Sequence, residues 1–97
     1  MARVRGNKRE AARILLRAAK LLERYGWIQG AATDGVHYCA WGAINKVAGS
    51  YRHTATNKRA KRAMVKTVGG RIATFNDKPG RTAEQVAAAL RKAAKRV

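Results

Sequence analysis

Three side chains could supply a nucleophile or a soft metal ligand, His37, Cys39 and His53, and their spacing assembles neither kind of site. On a helix, residues two apart project about 160° from each other, so the His37 ring is badly placed as a base for the Cys39 thiol. There is no Cys-x-x-Cys or His-x-x-x-His spacing to build a zinc site. Magnesium-assisted phosphodiester chemistry needs clustered carboxylates, whereas Glu10, Glu23, Asp34, Asp77 and Glu84 are scattered. Gly69-Gly70-Arg71 lacks the Lys-Ser or Lys-Thr that completes a phosphate-binding loop. The reading is a non-enzymatic protein with no catalytic residue, metal or cofactor.

The chemistry that the residues do favour is cationic. The sequence holds 22 Lys and Arg against 5 Asp and Glu, a formal net charge of +17, and that self-repulsion is relieved by an anionic partner. Arg9, Arg13, Arg17, Lys20 and Arg24 recur at helical spacing, as do Lys58, Arg59, Lys61, Arg62 and Lys66. A solvated helix face ordinarily mixes both signs; here acidic residues are nearly absent from the basic faces. These ten side chains are the expected contacts to a nucleic-acid phosphate backbone, DNA ahead of RNA. Tyr51 and Arg52, beside His53 in a Gly/Ser/Thr-rich loop, are added as candidates for reaching a groove or a base. Trp27, Tyr38, Trp41 and Phe75 sit at apolar positions that favour the core over base stacking, and the sequence leaves open whether Trp27 or Trp41 is exposed.

Elements follow from periodicity and caps. Asn7 with Glu10 resembles a capping box, and Ala11, Ile14, Leu15, Ala18, Leu21, Leu22 and Tyr25 form an apolar stripe, which predicts a helix over 8–25 ended by a left-handed Gly26. Thr33 or Asp34 is the expected cap of a second, neutral helix running to about Val47, packed on several sides, with Val36 and Trp41 among its apolar members and with Gly35 and Gly42 permitting close approach of a neighbour. Thr56 or Asn57 is the expected cap of a third helix through Val68, with Ala60, Ala63, Met64 and Val68 inward and Val65 outside the pattern. Arg71 to Phe75 reads as a short extended or turn segment, and Asn76-Asp77-Lys78-Pro79-Gly80 as a turn. Thr82 with Gln85 is a capping box that opens a last helix, whose stripe is Val86, Ala89, Leu90, Ala93 and Val97.

The fold class is therefore all-α: one compact domain over 1–97, of about four helices around a buried neutral central helix, with 1–7 flexible. Residues 30–56 carry a net charge of only +1, against +6 before and +10 after them, so the basic surface belongs to the fold and not to a tail. A single cysteine excludes an intrachain disulfide and fits a reducing cytoplasm. The longest stretch without charge, Gly35 to Asn45, is about half of a membrane span, and Arg13, Arg17 and Lys20 interrupt any signal-peptide core.

Gly26-Trp27-Ile28-Gln29-Gly30, Cys39-Ala40-Trp41-Gly42-Ala43-Ile44 and Phe75-Asn76-Asp77 through Thr82 to Val86 resemble a small uncharacterised family of actinobacterial and actinobacteriophage proteins, of mycobacteriophage type, with Cys-x-x-Gly-Ala and aromatic-Asn-Asp…Thr motifs. The likeness runs from Leu21 to Ala94. It implies a helical fold and a phage or actinobacterial source, and it transfers no activity or site residue.

No helix-turn-helix is evident, because Gly69 to Arg81 is far longer than that motif's turn. The expected function is backbone binding with little sequence discrimination, nucleoid-associated in the cell. The alternative is a module that binds and inhibits an acidic host protein, which would show an exposed aromatic or aliphatic anchor amid a basic rim.

Overall fold

A computed structural model describes residues 7–51 and 54–97, with Tyr51 through its backbone alone. Arg52 and His53 lie outside the described residues, as do residues 1–6, on which the expectation of a flexible 1–7 segment mainly falls. Asn7 itself is fixed: its side chain caps the first helix through the Glu10 amide, and its own amide donates to Thr56 Oγ1 at 3.0 Å.

The chain is all-α, with helices α1 (Lys8–Tyr25), α2 (Ala40–Ala48), α3 (Ala55–Val68), α4 (Ile72–Asp77) and α5 (Ala83–Ala94), and a 3-10 turn at Gly49–Tyr51. Helix α1 has the expected bounds because its stripe is consistent along its whole length: Ala11, Ile14, Leu15, Ala18, Ala19 and Leu22 are buried. Helix α5 packs along α1 and α3, and its capping box is reciprocated between Thr82 and Gln85. One core holds Leu15, Leu22, Ile44, Met64, Val86 and Leu90 together with many alanines. Each large apolar side chain so buried stabilises the fold by roughly 1.5–3 kcal/mol, and the alanines let the helix axes approach closely.

Five expectations need correction. The second helix begins at Ala40, not near Asp34. The Asp34 carboxylate is instead taken by a tight turn: Oδ1 accepts from the amides of Val36 and His37 at 2.9 and 2.7 Å, and Oδ2 faces His37 Nδ1 at 2.9 Å. Residues 26–39 thus form a loop, closed by Tyr38 N–H to Gly26 O, Ile28 N–H to Tyr38 O and Cys39 N–H to Ala32 O. Gly26 ends α1 with a positive φ of 104° but with ψ 156°, outside the left-handed helical basin, since the chain must turn straight into this loop.

The third helix is capped by Thr54, whose hydroxyl accepts from the Asn57 amide at 3.3 Å. Asn57 is wholly buried and donates through Nδ2 to Asn45 Oδ1 at 3.1 Å. Arg71 to Phe75 is neither extended nor a simple turn: Ile72 and Asn76, four apart, are the buried face of α4, one of five helices among the described residues where about four were expected. Tyr25 and Val36 are 49% and 58% exposed, so neither belongs to the core as expected.

Candidate nucleic-acid interface

The basic residues fall into separate groups. Arg9, Arg13, Arg17, Lys20 and Arg24 are all exposed along the outer side of α1, with Leu16 among them. Arg13 and Arg17 also line a cleft of about 410 Å³ that reaches Val47, Ala48, Thr54 and Thr56. Arg13 is shared with Glu10, whose carboxylate lies 3.7 Å away in a half-exposed pair, too loose and too wet to contribute much. Lys58, Arg62 and Lys66 are exposed along α3 at successive turns.

Two of the expected contacts on α3 also make contacts within the fold. Arg59 donates from Nε and an Nη to the Val97 carbonyl at 3.1 and 2.8 Å, which ties α3 to the end of α5. Lys61 lies with Nζ 4.6 Å above the Trp41 ring, and burial lowers its pKa. Tyr51 lies in the 3-10 turn that follows α2, and Arg52 is outside the described residues.

The acids are engaged in structure. Arg91 holds Glu23 through two hydrogen bonds of 2.7 and 2.6 Å, which keeps that carboxyl below its usual range. Asp77 Oδ1 accepts from the Gly30 amide at 3.0 Å and from Asn76 Nδ2 at 2.9 Å, and these bonds lower its pKa. The amides of His37 and Val36 hold Asp34 far below the carboxylate range. Among the described residues, no ion pair is made by Arg9, Arg17, Lys20, Arg24, Lys58, Arg62 or Lys66.

The quoted sequence motifs prove to be joints. Cys39 is buried and caps α2, its Sγ accepting from the Gly42 amide at 3.3 Å, while a side chain at Gly42 would collide with the Ala32 carbonyl. Asn76 is wholly buried: Oδ1 accepts from Trp27 Nε1 at 2.6 Å and from the Ala40 amide at 2.9 Å, and Nδ2 donates to Ile28 O at 3.1 Å. Phe75 is covered by the Arg81 guanidinium, 3.8 Å from its centroid.

The exposure of Trp41, open from the sequence, is decided by the fold: the residue is 43% exposed and walls a cleft of about 590 Å³ with Val65, Lys61 and Arg71. The available signals were Val65, which breaks the apolar pattern of α3, and Gly30-Ala31-Ala32, whose small side chains cannot reach across to cover an indole.

Among the described residues no helix is long and apolar enough to cross a membrane, and no group of three or more His, Cys, Asp and Glu side chains is placed to hold a metal ion. No curated protein matches the chain, and no solved structure does. The chain matches DUF6197, a family of unknown function, across residues 6–96, and it belongs to that family.

Proposed function

We propose that this protein binds nucleic acid without catalysis, through the phosphate backbone and with little base discrimination, as a DNA-associated protein of a phage or its actinobacterial host. The supporting observation is that Arg9, Arg17, Lys20 and Arg24 on α1 and Lys58, Arg62 and Lys66 on α3 are exposed and make no ion pair among the described residues. Unneutralised cations at helical spacing displace counterions from a polyanion, a gain that needs no base contact.

The test is binding to several unrelated duplexes over a salt series. Similar affinities, falling steeply and linearly in log affinity against log salt, are expected. A preference of tenfold or more for one duplex, about 1.4 kcal/mol, overturns the non-specific reading.

One observation favours the second reading, capture of an acidic host protein: exposed Trp41 and Val65 beside Lys61 and Arg71 place an apolar anchor within a basic rim. Duplex binding that fails even at low salt moves the assignment to that reading.

A further inference from the structure

The cleft beside Trp41 is built more firmly than its exposure suggests. Its far wall, Gly30 to Ala32, is pinned at both ends: Asp77 Oδ1 accepts the Gly30 amide at 3.0 Å, and Ala32 O accepts the Cys39 amide at 3.0 Å, in contact with the bare α-carbon of Gly42. The wall is therefore fixed and made of side chains too small to fill the space, which leaves Trp41 partly exposed in a preformed site. Lys61 stands over the indole and Arg71 is exposed at the same cleft. On α3, Lys61 and Val65 border the row of Lys58, Arg62 and Lys66, so the cleft opens along one edge of a cationic helix face.

We propose that this cleft takes an unpaired base of single-stranded nucleic acid against Trp41, with the adjoining phosphates met by Lys61 and Arg71. The inference rests on the nucleic-acid reading above and narrows it to a class of ligand. A ligand for this cleft must join a flat apolar ring to an anion, because the cleft joins an indole to two cations; a nucleotide unit does so. The Asp77 carboxylate lines the same cleft, where it repels phosphate and carboxylate alike but can accept from the N–H edge of a neutral base, so the phosphates belong on the Lys61 and Arg71 side. A duplex keeps its bases stacked on one another and cannot use the indole, so the cleft distinguishes strand state, which the outer face of α1 does not.

The experiment compares four labelled ligands by fluorescence anisotropy at low salt: a mixed-sequence single strand, the same strand made abasic, a duplex of equal length, and a glutamate-rich peptide with an aromatic residue. The protein is used as wild type, Trp41→Ala and Trp41→Phe. Trp41→Ala should weaken the single strand about tenfold and leave the abasic strand and the duplex unchanged, and Trp41→Phe should recover most of the loss. Trp41 is 43% exposed, so both variants should fold, which circular dichroism and the melting temperature verify. Equal binding of the single strand by wild type and a folded Trp41→Ala overturns the proposal while leaving backbone binding intact. So does a loss shared equally by the abasic strand and the duplex. Peptide binding that depends on Trp41, with the single strand unaffected, replaces the base by a protein partner. Failure of every nucleic acid to bind overturns the function proposed above and this inference together.

Discussion

The Trp27 indole N–H donates to Oδ1 of Asn76 at 2.6 Å, joining the start of the 26–39 loop to the last turn of α4 across 49 residues of sequence. The same oxygen accepts the amide of Ala40, the first residue of α2, and the side-chain nitrogen donates to Ile28 O. One wholly buried amide therefore fixes the loop, α2 and α4 to one another. It is also the physical reason for an Asn after the aromatic residue at 75, since no other side chain of that size offers both an acceptor and two donors.

Replacing Asn76 by Ala should destabilise the protein by about 3 kcal/mol, because two buried donors and a carbonyl lose their partner in one step. Urea unfolding measures it. A loss below about 1 kcal/mol would show that the joint is not needed to hold the elements together. Asn76→Asp should also destabilise, since it keeps the acceptor, loses the donor to Ile28 and buries a charge beside Asp77.

Gly42 and Gly70 should respond oppositely to Ala. At Gly42 a methyl group meets the Ala32 carbonyl, part of a backbone that cannot rotate aside, so the 26–39 loop must shift and the melting temperature should fall by several degrees. At Gly70 nothing lies within 4 Å of the added carbon and φ is not positive, so Gly70→Ala should be neutral or slightly stabilising. Cys39→Ser should be tolerated on the same scan, because a hydroxyl can replace the thiol as the acceptor that caps α2.

Stability should fall on acidification below about pH 4. Asp34, Asp77 and Glu23 all have folded pKa values lowered by hydrogen bonds that their charged forms accept. A carboxyl with a depressed folded pKa stabilises above its unfolded value, near 4, and the contribution is lost as pH falls through the folded value. Asp77→Asn should flatten part of this acid limb in melting temperature against pH. An unchanged limb would show that Asp77 is not among the groups responsible. The +17 charge steepens the same fall once the acids are neutralised.

The outer faces of α1 and α3 should act independently. Neutralising Arg13 and Arg17, or Arg62 and Lys66, should each weaken duplex binding uniformly across sequences and lower the salt slope by about one per lost phosphate contact. Contacts made to separate phosphates predict that the two effects add in the quadruple variant. The control is Lys92, Lys95 and Arg96 at the end of α5, which suit the helix dipole there; if their neutralisation abolished binding while both pairs were dispensable, the assignment to α1 and α3 would fail.

The sequence by itself determined the all-α class, the bounds of α1, the Thr82–Gln85 box and the inner face of α3. All of these rest on contacts within four residues, where helical period and capping chemistry act directly. Tertiary structure decided where α2 begins, because Asp34 can cap either a helix or a turn, and the loop hydrogen bonds at Gly26, Ala32 and Tyr38 select the turn. It decided that Ile72 and Asn76 form a helix face, since Asn76 finds its partners in segments distant in sequence. It also decided that Trp41 stays exposed, which depends on the small residues the loop places across from it and which no local pattern around residue 41 encodes.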